Sequence, residues 1–160
     1  RYRCMTPTKL PPGLPGRFRD PAAELLYCAP TDELLDVARD LVNHNVNAIV
    51  VLNDTEDLIG ILTDFDIMRA LAHSKGDLSG IEVYEWMTEK VITCAIDEKL
   101  ADALRLMGRY GIRHLVVTDC GVPVATLSIR DVLAKIHEHD ELEISVLRDI
   151  AVAARASVAA

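Results

Sequence analysis

The sequence predicts an α/β fold built from two β-α-β-β-α repeats packed about a pseudo-twofold axis, with a further helix at the C-terminal end. Three observations predict it. The stretch Gly60-Ile61-Leu62-Thr63-Asp64-Phe65-Asp66 returns as Ala125-Thr126-Leu127-Ser128-Ile129-Arg130-Asp131: an apolar run, a hydroxyl residue, an Asp three places on, then a helical pattern. The flanking chain keeps register with this duplication. Cys28 and Cys94, Leu34 and Leu100, Leu41 and Met107, and Val46 and Ile112 all differ by 66, whereas Thr63 and Ser128, and Asp66 and Asp131, differ by 65. One residue is therefore missing from the second turn, and the repeat otherwise holds. Finally, 50% of the 160 residues are apolar but only 4% aromatic, so the core must be Val, Ile, Leu and Ala, which suits helices packed on sheets. A half of about 60 residues buries little surface by itself, which favours two copies packed face to face.

The elements follow in order. Residues 1–17 carry four of the seven prolines, two glycines and four basic residues, and read as an extended arm. The first repeat occupies 18–76. Leu25 to Cys28 read as a short strand, and Thr31, followed by Asp32 and Glu33, is placed to cap a helix with apolar positions Leu34, Leu35, Val37, Ala38, Leu41 and Val42. Ala48 to Leu52 and Leu58 to Leu62 flank Asn53-Asp54-Thr55 as a hairpin, and Asp64 to Ala72 is the next helix, with Ile67, Met68, Ala70 and Leu71 as its apolar positions. Lys75 to Ser79 is a polar linker. The second repeat, 77–138, gives a strand at Val91 to Cys94, a helix at Asp97 to Arg109, a hairpin from His114 to Thr118 and Val122 to Leu127, and a helix at Ile129 to Glu138 with Val132, Leu133 and Ile136. In 139–160, Ile144, Leu147, Ile150 and Ala151 share one face of a helix without a counterpart in the first half, suited to oligomerisation.

The formal charge of −8 argues against a nucleic acid or an anionic membrane held by bulk electrostatics, so a phosphate ligand needs local cations. No segment approaches the roughly 18 apolar residues that span a bilayer. Cys4, Cys28, Cys94 and Cys120 show no C-x-x-C spacing, and free thiols in a reducing cytoplasm are the simplest reading. There is no nucleophile elbow, no P-loop and no metal-ligand cluster of proper spacing, so an enzyme is not expected. His137 and Glu141 stand at i and i+4 but read as a solvated helix end rather than a metal site.

With these residues in view, the stretch from Phe18 to Glu138 resembles a tandem of CBS domains, the paired unit called a Bateman module. The likeness rests on the duplicated element order, on the G-h-h-[S/T]-x-x-D signature met by Gly60, Thr63 and Asp66 and again by Ser128 and Asp131, and on Trp86-Met87-Thr88 and Gly111-Ile112-Arg113-His114-Leu115-Val116-Val117. The resemblance implies binding of an adenosyl ligand (AMP, ADP, ATP, NAD or S-adenosylmethionine) in clefts between the repeats. It implies that Asp66 and Asp131 accept hydrogen bonds from ribose hydroxyls, that Thr63 and Ser128 meet phosphate, and that Leu26 and Ile92 contact the base. It also places Arg113 and His114 toward phosphates, with Arg130 a weaker candidate. The sequence departs from the signature where Ala125 replaces Gly60, a change expected to restrict ligand approach at the second hairpin, and where Pro21-Ala22 stand in place of a Met-Thr lead-in.

The chemistry is coherent. An ionised Asp only accepts, which suits a pair of ribose hydroxyls, and the adjacent helix N-terminus suits an anion. The same Thr63–Asp66 and Ser128–Asp131 pairs are also capping boxes, and the sequence leaves both roles open. Arg113 and His114 can equally be a strand end paired with carboxylates. The function expected is a non-catalytic adenine-nucleotide sensor that forms a homodimer and signals to an unknown effector. The alternatives are a structural homodimerisation module without ligand, or a regulatory fragment of a larger enzyme or transporter.

Overall fold

A computed structural model of the chain describes residues 25–138. The arm at 1–17, Pro21-Ala22 and the C-terminal segment 139–160 lie outside the described residues. The elements are β1 (Tyr27–Cys28), α1 (Leu34–Asn43), β2 (Ala48–Leu52), β3 (Leu58–Thr63), α2 (Asp64–His73), a 3-10 turn (Val83–Glu85), β4 (Thr93–Ala95), α3 (Leu100–Tyr110), β5 (His114–Asp119), β6 (Val122–Ser128) and α4 (129–138). Two β-α-β-β-α repeats are thus present.

Each repeat makes a three-stranded sheet, β1-β2-β3 and β4-β5-β6, with a parallel first pair and an antiparallel second pair. The register carries the duplication into three dimensions. Tyr27 pairs with Val50 and Thr93 with Val116, and a bulge falls at Val51/Leu52 in one hairpin and Val117/Thr118 in the other. The missing residue lies in the hairpin turn: Leu52 pairs with Leu58, six positions on, whereas Thr118 pairs with Pro123, five positions on.

All five β2 residues are buried because the strand is covered on both faces. Ile49 and Val51 join Leu34, Val37, Leu41, Ile67 and Ala70 in a core under the helices of the first repeat, and Leu115, Val117, Ala103, Met107 and Val132 form its equivalent in the second. The alternate residues Ala48, Val50 and Leu52 pack with Ile61, Leu25 and Val116 in a third cluster that joins the two sheets. Val50 and Val116, 66 positions apart, are symmetry mates within it.

Local expectations at three helices are corrected. Thr31 does not cap α1: the N-cap is Glu33, with no side-chain capping bond. The Leu34 N–H is satisfied instead by the Ile81 carbonyl at 2.8 Å, in the segment that returns from the first repeat, and the Asp32 carboxylate accepts from the Ala29 N–H at 2.8 Å. Val42, grouped with the apolar face of α1, is 78% exposed. Met68 and Leu133, grouped with the apolar positions of α2 and α4, are 59% and 51% exposed.

The segment between repeats is strapped to the first. Ile61 and Thr88 exchange backbone hydrogen bonds of 3.0 and 2.9 Å along the edge of β3. Gly60 permits this approach, since a Cβ there would stand 2.6 Å from the Met87 Sδ. The space above Gly60 is therefore taken by the chain itself, and the glycine serves the packing of the connecting segment on β3. No helix among the described residues is long and apolar enough to cross a membrane.

Candidate functional site

A strand that ends in a hydroxyl residue and feeds a helix leaves free N–H groups at its turn. Both copies fill this need in the same way. The Asp66 Oδ2 accepts from the Thr63 N–H (2.9 Å) and hydroxyl (2.7 Å), while the Asp66 N–H donates to Thr63 Oγ1 at 3.4 Å. The Asp131 Oδ2 accepts from the Ser128 N–H (3.0 Å) and hydroxyl, and the Asp131 N–H donates to Ser128 Oγ at 3.2 Å. The capping boxes read from sequence are both formed.

Their surroundings differ. Asp66 is only 6% exposed, the one buried charged residue among those described, whereas Asp131 is exposed. The second oxygen of Asp66 stands 3.5 Å from Arg69 Nη1, and the Arg69 guanidinium lies over the Trp86 ring, 5.7 Å from its centroid.

Beside Asp66 opens a cleft of about 200 Å³ between the repeats. Ile61, Thr63, Phe65 and Asp66 form its wall from the first repeat; Thr88, Lys90, Val91 and Ile92 come from the connecting segment, and Gly111, Ile112, Arg113 and His114 from the turn into β5. Of the residues singled out by sequence, Thr63, Asp66, Ile92, Arg113 and His114 meet here. Ser128, Asp131, Arg130 and Leu26 do not line this cleft. Leu26 and Ile92 nevertheless occupy equivalent places, since their carbonyls accept from the N–H groups of Val50 (3.2 Å) and Val116 (3.3 Å).

Charge is arranged asymmetrically around the pseudo-axis. Lys90, Arg113 and His114 bring basic groups to this cleft, while the counterparts of Arg113 and His114 are the neutral Asn47 and Ala48. Burial pushes the half-buried His114 imidazole below its ordinary pKa; Asp64 pulls it up, Arg113 pushes it down and Asp131 pulls it up. Asp64 is fixed at the start of α2, its N–H donating to the Asn47 carbonyl (3.0 Å) and its Oδ2 accepting from Asn47 Nδ2 (3.0 Å). Its Oδ1 is buried without a hydrogen-bond partner among the described residues.

Lys90, Phe65 and Asp64 were not singled out from sequence. Phe65 and Asp64 lie inside the duplicated motif, and the 65-residue offset pairs them with Arg130 and Ile129, so a change of residue class between copies was the available signal. Lys90 lies in irregular chain and gave none. Among the described residues no group of three or more His, Cys, Asp or Glu could hold a metal ion. Cys28 and Cys94 are buried free thiols whose pKa values burial pushes up to about 12 and about 11, which makes them poor nucleophiles.

The CBS domain family model matches residues 19–73 and again 82–138. The chain belongs to the CBS-domain family. Among relatives of this CBS pair, the mitochondrial CBS domain-containing protein CBSX3 of Arabidopsis thaliana is 35% identical over 122 residues, covering 72% of this chain and 59% of the plant protein. The L-aspartate semialdehyde sulfurtransferase of Methanosarcina acetivorans is 35% identical over 101 residues, covering 63% of this chain but only 19% of the enzyme. The chain thus spans less than two thirds of either relative. Among solved structures, the CBS domain pair of protein MJ0100, in complex with 5′-methylthioadenosine and S-adenosyl-L-methionine, superposes with a TM-score of 0.63 at 27% identity, over 71% of this chain and 90% of that one.

Proposed function

We propose that this CBS pair is a non-catalytic regulatory module that binds an adenosyl ligand in the Thr63–Asp66 cleft. One observation carries the reading: a single cleft is walled by the hydroxyl–Asp pair of one repeat and by Ile92, Arg113 and His114 of the other. A ligand there touches both repeats and changes their relative angle to the extent that it binds one arrangement better. The ribose hydroxyls donate to Asp66, the base lies against Ile92, and the phosphate faces Arg113, His114 and Thr63. A cleft of about 200 Å³ is below the range of roughly 300 Å³ upward usual for small-molecule sites. A phosphate tail therefore extends to the mouth, where Lys90 and Arg113 are exposed. The MJ0100 pair supports the ligand class. Ser128, Asp131, Arg130 and Leu26 are assigned to a second, weaker cleft across the pseudo-axis.

We further assign the chain to a homodimer in the cytoplasm, signalling to an effector protein. The exposed Met68 and Leu133, 65 positions apart and so related by the internal symmetry, support self-association. AMP, ADP, ATP, NAD and S-adenosylmethionine are the ligands to compare by thermal unfolding. At 100 times its dissociation constant a ligand adds about 2.7 kcal/mol, which for a chain of this size is roughly 5 to 10 °C. A shift of that size with one adenosyl ligand, absent with the guanosine analogue, supports the sensor. A flat response to all of them moves the reading to a structural dimer, which the fully formed capping boxes favour, or to the regulatory portion of a longer protein, as the 19% coverage of the sulfurtransferase allows.

A further inference from the structure

The two oxygens of the buried Asp66 carboxylate are held differently. Oδ2 takes two hydrogen bonds from Thr63, one from its N–H and one from its hydroxyl. Oδ1 meets only Arg69 Nη1, at 3.5 Å, beyond the roughly 3.2 Å of an N–H···O hydrogen bond. Arg69 therefore offsets the buried charge but leaves Oδ1 without a hydrogen-bond donor among the described residues, with lone pairs to give. Asp66 lines the cleft, whereas Arg69 and Trp86 do not. The Arg69 guanidinium lies 5.7 Å from the centre of the Trp86 ring, and the His73 ring lies 5.6 Å from it. Arg69 and His73, four apart, share a face of α2, so this face holds the indole. Trp86 belongs to the connecting segment. Its N–H donates to the Val83 carbonyl at 3.0 Å, and the next two residues are those strapped to β3, Met87 over Gly60 and Thr88 against Ile61. None of the three is repeated in the sequence: Ala134, Glu138 and Asp20 stand at the positions equivalent to Arg69, His73 and Trp86.

We propose, building on the adenosyl-ligand reading above, that Arg69 is a positioning residue that reports occupancy of Asp66 to Trp86, and through it to the segment joining the two repeats. Arg69 is more than half exposed, and both of its contacts are of weak kinds, an ion pair screened by water and a cation over a ring. Neither contact dominates, so a change in one redistributes the guanidinium between them. In the empty cleft Asp66 Oδ1 has Arg69 as its partner. Ribose hydroxyls donating to Oδ1 spread the carboxylate charge over new donors and weaken its hold on Arg69. The guanidinium then settles more fully on the indole and tightens the connecting segment against α2. The bound and empty states thus differ in a named contact outside the cleft, which is what a ligand needs in order to shift the geometry of the pair. The coupling is reciprocal: whatever holds Arg69 on Trp86 also frees Asp66 for the ribose. With Ala134 in place of Arg69, the second repeat has no such relay.

Trp86 is the chain's single tryptophan, so its emission reads this step directly. The probes are adenosine, the part common to all the candidate ligands, and 2′,3′-dideoxyadenosine, which has no hydroxyls for Asp66. Binding is followed by calorimetry and Trp86 emission is recorded at saturation, for the wild type and for Arg69→Met, which keeps an apolar stem on the ring and removes the charge. Affinity is not the readout, because the substitution takes away a counterion and a competitor together. Adenosine is expected to shift Trp86 emission in the wild type, although the indole lies outside the cleft. Arg69→Met is expected to bind adenosine and lose most of that shift, and the dideoxy analogue to leave the wild-type emission where it was. An undiminished shift in Arg69→Met, an equal shift with the dideoxy analogue, or bound adenosine with no wild-type shift overturns the relay and leaves the sensor standing. A wild type that does not bind adenosine at all overturns the adenosyl reading and the relay with it. Should Arg69→Met fail to fold or to bind, the wild type alone decides by NMR: the Arg69 Nε–H resonance must move with adenosine and stay with the dideoxy analogue, and a resonance unmoved by bound adenosine rejects the relay.

Discussion

At the scale of single residues, the two motif aspartates make the same cap in different settings. Asp66→Asn and Asp131→Asn each weaken a capping box, at a cost of about 1 kcal/mol or less. Only Asp66 is buried against a cleft that carries cations. Asp66→Asn is therefore expected to abolish most of the thermal shift given by an adenosyl ligand, while Asp131→Asn leaves most of it; a full shift in Asp66→Asn would reduce that residue to a cap. His114 adds a pH signature to the ligand-free protein. Its folded pKa is depressed, so below the ordinary value of 6.5 the unfolded chain binds the proton first, and stability is lost as pH falls from 6.5 through the folded pKa. Urea midpoints measured from pH 8 to 5 should fall more steeply for the wild type than for His114→Gln. Gly60 gives a third case. Gly60→Ala drives a Cβ into Met87, at an expected cost of about 1–3 kcal/mol. Met87→Ala should recover part of it, and the double-mutant cycle measures the coupling.

At the scale of elements, the helix ends show what the sequence makes readable. Both first helices stop in the same way: Val46 N–H donates to the Leu41 carbonyl and Ile112 N–H to the Met107 carbonyl, each at 3.0 Å, around a left-handed residue, Asn45 at φ 53° and Gly111 at φ 64°. Asn tolerates this conformation and a bare β-carbon does not, so Asn45→Ala should cost about 1 kcal/mol and Asn45→Gly almost nothing in chemical denaturation. Periodicity and register exposed the strands, the helices and the shortened hairpin turn, because each is written locally and written twice. The start of α1 was not readable. Thr31-Asp32-Glu33 carries every local sign of a cap, but the Ile81 carbonyl from a distant segment takes the Leu34 N–H and moves the start to Leu34. Tertiary partners of this kind leave no local trace. The cleft divides along the same line: Thr63, Asp66, Arg113 and His114 belong to motifs, whereas Lys90 and the strap over Gly60 are set by how the connecting segment folds back.

At the scale of the molecule, internal symmetry is kept in the core and broken at the surface. Val50 and Val116 meet near the pseudo-axis, buried to the same degree, because a joint between two sheets needs matching apolar faces. The cleft lining carries no such constraint, and the charges at equivalent positions have diverged: Arg113 and His114 stand where the other repeat has Asn47 and Ala48. Outside, symmetry returns. Met68 and Leu133 occupy the same position on α2 and α4, and large apolar side chains at matched exposed positions of a pseudo-twofold unit are what a self-complementary interface requires. Replacing both by Glu removes that apolar surface and sets like charges across any twofold contact. The double variant is expected to sediment as a monomer where the wild type sediments as a dimer, with the unfolding midpoint of the isolated pair shifted little, since neither side chain belongs to its core. A wild type that is monomeric at every concentration, or a double variant that remains dimeric, would remove this face from the interface and leave the two helices to serve another partner.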